Sequence, residues 1–327
     1  ADIYSNKEKL LFFTYWGLEH IFGPRQGDVG MFGRKKNHLA HTFQQRLIEK
    51  RPKWKITPLE SYHNLSDKDF IENFLIPGKP VIIKGAAKNW PAVGKWNPRW
   101  FADNYPEATQ PFVDPKTKGY GARELTFKEI ADEIEGGSDN YVKFSNFLHK
   151  TPGALDDLDL SLIEKWKVIQ NIPSSKQLFM GGKGTYSVIH AALAHVFFVQ
   201  IYGVKRWLLI PEEWAPLINP QVDRQPHFLG QEELLIKPDA GDHDIFSRFE
   251  FKEAILEPGD FYFNPAFCWH YVENLTTSIG LGFRWVPFRA VYKSPLLSSM
   301  ILMSQYPASF VRAYQNSRGI FFPKRYP

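Results

Sequence analysis

Hydrophobic positions change their period along this chain, and the changes divide it into three stretches. Early on they recur at helical spacing: His38 to Lys50 (HLAHTFQQRLIEK) reads as a helix stopped by Pro52. Ser66 stands three residues ahead of Asp69 and opens an apolar-periodic run, which predicts a helix start. Pro77-Gly78-Lys79-Pro80 then turns into Val81-Ile82-Ile83-Lys84-Gly85, a short β-branched strand.

From about residue 140 the runs become short, aromatic and β-branched, with turn residues between them. Phe197 to Tyr202 leads through Gly203-Val204-Lys205 into Arg206 to Pro211, which predicts a hairpin of two buried strands. Pro258-Gly259-Asp260 turns into Phe261-Tyr262-Phe263, and Ser278 to Trp285 (SIGLGFRW) reads as a further strand. Many short strands without alternating helices imply an all-β sandwich or barrel. Helical patterning returns over 289–317, around Leu296, Met300 and Phe310.

Composition adds limits. Aromatic residues make up 16% of the chain, which suits a ring-rich core or a lined cavity, and the one cysteine, Cys268, excludes an internal disulfide framework. The longest early apolar run, Leu10 to Leu18, is too short for a membrane-spanning helix. The chain opens on Ala1 without a methionine, so a removed upstream targeting or anchor segment is an expectation that leaves the compartment open.

Charge is uneven. Residues 25–55 hold nine Lys/Arg against Asp28 and Glu49, a charge of +7, so within a total of +5 the rest stands at −2. A body without basic excess argues against a nucleic-acid channel. The basic stretch reads as a solvated arm.

Two of the ten histidines occupy apolar, strand-like settings: His190 (YSVIH) and His270 (FCWH). One buried histidine alone is commonly a satisfied core residue. Two on separate strands of one barrel make a metal site the better reading, because imidazoles hold first-row metals while leaving positions open.

These residues carry a resemblance. PGKPVIIKGAAKNWPAVGKW after a helix, HAALAHVFFVQIYGVKRWLLIP (190–211) and EPGDFYFNPAFCWHYVEN (257–274) resemble, in order and spacing, the opening, metal strand and closing motif of the JmjC-type, cupin-like iron/2-oxoglutarate oxygenases. The resemblance implies a mainly β fold, a double-stranded β-helix (cupin or jelly roll) with helical decoration at both ends. It divides the chain into a basic N-terminal extension (1–56), a JmjC-like cupin domain (57–288) and a C-terminal helical tail (289–327) of the kind through which relatives form homodimers. It further implies His190 and His270 as iron(II) ligands, with Lys205 and the Ser187 hydroxyl meeting the distal carboxylate of 2-oxoglutarate.

The departures matter as much. Where the family writes a carboxylate two residues after the first histidine, this chain has Ala192, on the same strand face as His190. None of the ten histidines is followed at that spacing by Asp or Glu. Val196 replaces an inward asparagine, and no hydrogen-bonding residue fills the corresponding position near Gly282. Losing the carboxylate removes one negative charge and one donor, and a chloride or bromide ion would supply both, as in iron halogenases built on HxA or HxG. Cys268 and His195 are the alternative donors, while Asp260 and Glu273 read as turn or rim residues. Hydroxylation, halogenation and a non-catalytic binding or scaffold role all stay open. So does the substrate, whether protein, peptide or small molecule.

Overall fold

The computed structural model describes residues 3–22, 30–50, 56–114, 122–166, 175–192, 194–221, 227–230, 245 and 248–285. The expected tail over 289–327, and the homodimer it implies, lie outside the described residues. Two helices come first, α1 (Asn6–Phe22) and α2 (Met31–Lys50). The helix expected from His38 thus begins a full seven residues earlier, and α1 accounts for the apolar run at Leu10. A third begins where Ser66 predicts: its hydroxyl accepts from the Asp69 backbone N–H at 3.1 Å and caps α3 (Asp67–Phe70), which runs on into a π-helical turn, Ile71–Leu75.

Fifteen strands lie among the described residues. The early ones are β1 (Thr57–Pro58), β2 (Ser61–Tyr62), β3 (Val81–Ile83), β4 (Thr109–Val113), β5 (Arg123–Thr126) and β6 (Tyr141–Ser145). Then come β7 (Ser175–Gly181), β8 (Tyr186–Ala192), β9 (His195–Tyr202), β10 (Lys205–Ile210) and β11 (His227–Leu229). The last are β12 (Lys252–Leu256), β13 (Phe261–Asn264), β14 (Trp269–Asn274) and β15 (Ser278–Trp285). They form a six-stranded sheet, β1-β12-β10-β14-β8-β11, and a nine-stranded sheet, β2-β3-β13-β9-β15-β7-β6-β4-β5. Four antiparallel strands of each, β12-β10-β14-β8 and β13-β9-β15-β7, make the double-stranded β-helix.

One expectation fails here. β9 and β10 follow each other directly but pair with different partners in different sheets, so Gly203-Val204 carries the chain across the sandwich instead of closing a hairpin. Gly203 has φ +68°, and a Cβ there would lie 1.9 Å from the Thr277 carbonyl oxygen, so only glycine fits the crossing.

Period-2 alternation sorts the side chains into three layers. On β9, Phe197, Val199 and Ile201 pack outward beneath the helices of the central segment, while Val196 and Phe198 face the space between the sheets. On the opposite sheet, Ile189 and Ala191 of β8, Leu208 and Ile210 of β10, and Trp269 and Tyr271 of β14 pack outward against Phe12, Trp16, Phe43 and Leu47 of α1 and α2. Burial of this kind is the main term holding the layers together. It leaves His190 of β8, β10's Lys205, Trp207 and Leu209, and β14's His270 and Val272 for the interior, and a register irregularity between β8 and β14 brings Ser187 to the same side.

The basic stretch is therefore not a solvated arm over its described part. α2 buries one face, and Lys36 on it is 2% exposed, paired with Glu19 of α1 at 2.7 Å and donating to the Pro220 carbonyl at 2.7 Å. Among the described residues no helix is long and apolar enough to cross a membrane.

Candidate functional site

β8 and β14 run antiparallel with His190 directly opposite His270, ring centroids 4.1 Å apart. Both are buried, at 7% and 4% exposure. In each, Nδ1 lies 2.8 Å from the backbone carbonyl two residues earlier, Val188 and Cys268 respectively. A carbonyl only accepts, so Nδ1 carries the proton in both rings and Nε2 keeps the lone pair. Donor imidazoles are oriented in this way in metal sites generally. Burial above all, helped by the Arg284 and Lys143 charges, pushes the His270 pKa down to about 4 and keeps the ring neutral.

The two histidines line a narrow cavity of about 30 Å³ between the two sheets. Lys205 lines it too. The residue is 6% exposed, and its ammonium lies 5.6 Å from the centroid of the Phe198 ring and donates to Asn274 Oδ1. Asn274 is held in turn by its own donation to Thr185 Oγ1 at 2.8 Å and by Ser278 Oγ at 2.6 Å. Burial pushes the Lys205 pKa down to about 7. An ammonium in this setting has neutral partners only, among the described residues, so the site suits an incoming anion. Ser187 lines the same cavity and shares a hydrogen bond with the Tyr141 hydroxyl. Burial raises the pKa of that phenol, so it stays protonated and able to donate.

Four further residues escape the sequence reading. Asn274 sits inside a quoted motif but shows its role only through Lys205. Tyr141 and Lys143 come from β6, where a register irregularity between Val142 and Ser145 breaks simple alternation. Arg284 shares the inward face of β15 with Gly280 and Gly282, whose missing side chains let the Phe198 and Phe179 rings close in, and this pair of glycines is the one signal that could have exposed it.

The remaining expectations resolve as follows. Ala192 ends β8 two residues beyond His190, on the same face by alternation, and offers no donor. Val196 lies 3.8 Å from where a Gly282 Cβ would be, with Arg284 Nε 3.9 Å from the same point. His195 accepts the Ala266 N–H through Nδ1 and packs on Phe263 and Trp285, away from the histidine pair. Cys268 has its thiol pushed up to about 12 by burial and packs with the interior cluster, which makes it a poor thiolate donor. Asp260 is a buried turn residue that accepts from Lys84 at 2.7 Å and from the Gly85 and Glu257 backbones. Glu273 lies near Arg206.

No group of three or more His, Cys, Asp or Glu able to hold a metal occurs among the described residues. The donor chemistry fits a divalent first-row metal held by two imidazoles, with its other positions filled by small ligands. The buried Lys205 and the Ser187–Tyr141 hydroxyl pair fit a carboxylate.

Comparison with known proteins agrees with this architecture. Residues 67–289 match the model of the cupin-like domain. The chain is 24% identical over 237 residues to lysine-specific demethylase 8 of Xenopus tropicalis, covering 70% of this chain and 53% of that one. It is 24% identical over 267 residues to the 2-oxoglutarate and iron-dependent oxygenase JMJD4 of Mus musculus, covering 71% and 61%. It is 22% identical over 259 residues to arginine-specific demethylase JMJ20 of Arabidopsis thaliana, covering 68% and 55%. The chain thus spans little more than half the length of these relatives. With that family matched over most of its length and the two-sheet barrel built as described, the chain belongs to the cupin-like domain family of JmjC-related proteins.

Proposed function

We propose that this chain is an iron(II)- and 2-oxoglutarate-dependent oxidising enzyme acting on an unidentified side chain or small molecule. The observation that carries the reading is the placement of His190 opposite His270, both Nδ1 atoms turned to backbone carbonyls, in one cavity with buried Lys205. In this reading His190 and His270 hold the metal through Nε2. Lys205, with Ser187 and Tyr141, takes the distal carboxylate of 2-oxoglutarate. Ala192 marks the vacated ligand position, filled by water or by a chloride or bromide ion. Iron bound there supplies the oxygen chemistry that no side chain of the cavity provides. The protein's own part is to orient the dicarboxylate by its charged end, keep the His270 imidazole neutral and surround the reacting centre with Phe198 and Trp207. Because relatives are named as lysine- and arginine-specific demethylases, methylated lysine and arginine side chains are substrate classes to try first.

A second reading, a degenerate cupin kept as a binding or scaffold module, is favoured by the donor set: no group of three or more His, Cys, Asp or Glu able to hold a metal occurs among the described residues, and Val196 stands where the resemblance implies an inward asparagine.

The test is direct. The protein is purified anaerobically, loaded with iron(II) and 2-oxoglutarate, and assayed for succinate formation and oxygen uptake with and without chloride or bromide. Turnover supports the enzyme, and its dependence on halide decides between halogenation and hydroxylation. Absence of metal binding sinks the catalytic reading in favour of the module. Ala192→Asp, by restoring a carboxylate, is expected to tighten iron(II) binding by about tenfold or more, the scale on which donors and their supports act.

A further inference from the structure

The cavity holds two cations that the reading above does not use, Lys143 of β6 and Arg284 of β15. Both stand over one ring: Lys143 Nζ is 5.0 Å and Arg284 Cζ 4.9 Å from the centroid of Phe144, and Arg284 Cζ is also 5.8 Å from the Phe179 ring. Arg284 Nε is buried without a hydrogen-bond partner. Among the described residues neither cation makes an ion pair, and no carboxylate lines the cavity. The backbone beneath them is strained. Phe144 has φ +55°, outside the range a phenylalanine normally adopts, and sits in the stretch where β6 slips register against β7. Such strain persists where the surroundings impose it and clusters at ligand sites. Two like charges repelling each other in an aromatic-walled cavity form an arrangement that an anion relieves. Lys205 is already engaged elsewhere, through Asn274.

We propose that Lys143 and Arg284 form a second oxyanion subsite, separate from the Lys205 end, that binds the carboxylate or phosphate group of an anionic small-molecule substrate. The assignment of that molecule as the oxidised substrate rests on the function proposed above; the binding site itself does not. The guanidinium fork, with its Nε donor unpaired, suits two oxygens of one planar or tetrahedral oxyanion. The rings of Phe144, Phe179 and Phe198 provide an apolar wall for the remainder of the molecule.

The test titrates the metal-free full chain with sodium benzoate and, in a second arm, with inorganic phosphate, each with and without saturating 2-oxoglutarate. Calorimetry and tryptophan fluorescence, to which the cavity residue Trp207 contributes, are the readouts. The expected result is a one-to-one site additional to that of 2-oxoglutarate, and the better arm tells carboxylate from phosphate. Arg284→Met and Lys143→Met are each expected to weaken it by about tenfold or more, with 2-oxoglutarate binding changed by less than about threefold. Lys205→Met is expected to do the reverse. If a methionine variant does not fold, Arg284→Lys, which keeps the charge and loses the fork, is expected to weaken binding by about threefold or more. Benzoate and phosphate that merely compete with 2-oxoglutarate, or bind the variants as they bind the native chain, overturn the proposal. If 2-oxoglutarate fails to bind while benzoate or phosphate binds with this variant sensitivity, the subsite stands and the co-substrate assignment falls.

Discussion

Single residues show how unevenly a sequence announces a site. His190, His270 and Lys205 are legible because each belongs to a motif of fixed spacing, and strand alternation then predicts which face each turns inward. Ser187, three residues before His190, reaches the same cavity only through the register irregularity between β8 and β14. Lys143 and Arg284 line the same cavity and stay hidden. The slipped register of β6 destroys the parity that would have aligned Lys143 with the interior, and Arg284 comes after two glycines that carry no side chain to mark the face. The Lys205 ammonium gives a pH prediction. Its pKa of about 7 in the folded chain lies below the usual lysine value of about 10.4. Between these values the unfolded chain holds the extra proton, so stability from this group rises with pH across the window and is lost as pH falls through about 7. A dicarboxylate reverses that preference by stabilising the charged form. At pH 8, 2-oxoglutarate binding is therefore expected to take up a proton and to weaken as pH rises further. Calorimetry in two buffers of different ionisation enthalpy measures the uptake; identical apparent enthalpies would contradict it.

At the scale of elements, strand positions were readable and strand partners were not. The runs at Val81–Ile83, Phe261–Asn264 and Ser278–Trp285 stand where the apolar pattern predicts them. The hairpin expected over 197–211 fails for a physical reason: β9 and β10 are buried on both faces, so their apolar content is the same whether they pair with each other or across from each other. Gly203 is the informative residue, and it specifies a crossing through the Thr277 carbonyl that closes on it. Gly203→Ala is expected to cost about 2 kcal/mol or more, from the left-handed φ and the 1.9 Å approach together, and to lower the urea midpoint accordingly. A midpoint equal to the native one would mean the crossing is looser than described.

For the whole molecule, the decisive fact is that α1 and α2 are part of the packing. They roof the outer face of the six-stranded sheet, and Gln44 and Lys36 donate to the Leu217 and Pro220 carbonyls beneath. Charge counting along the chain could not reveal this, because it registers Lys36 as one more solvated lysine while the fold buries it beside Glu19. Burial holds the Lys36 pKa below the usual lysine range, with Glu19 opposing the shift. Glu19→Gln leaves a buried ammonium without its counter-charge and is expected to cost about 3 kcal/mol. The loss should appear as faster hydrogen exchange in α1 and α2, with the barrel amides protected as before. Uniform loss of protection would instead make the helices inseparable from the barrel core.

The cavity's cations come from opposite walls: Lys205, with both histidines, belongs to the six-stranded sheet, and Lys143 and Arg284 to the nine-stranded one. Occupants of the two subsites would meet in the middle of the sandwich and act together as a cross-brace between sheets otherwise joined mostly by apolar contact. Release would then wait on the walls parting, so residence time would follow the breathing of the barrel as much as the strength of any one contact.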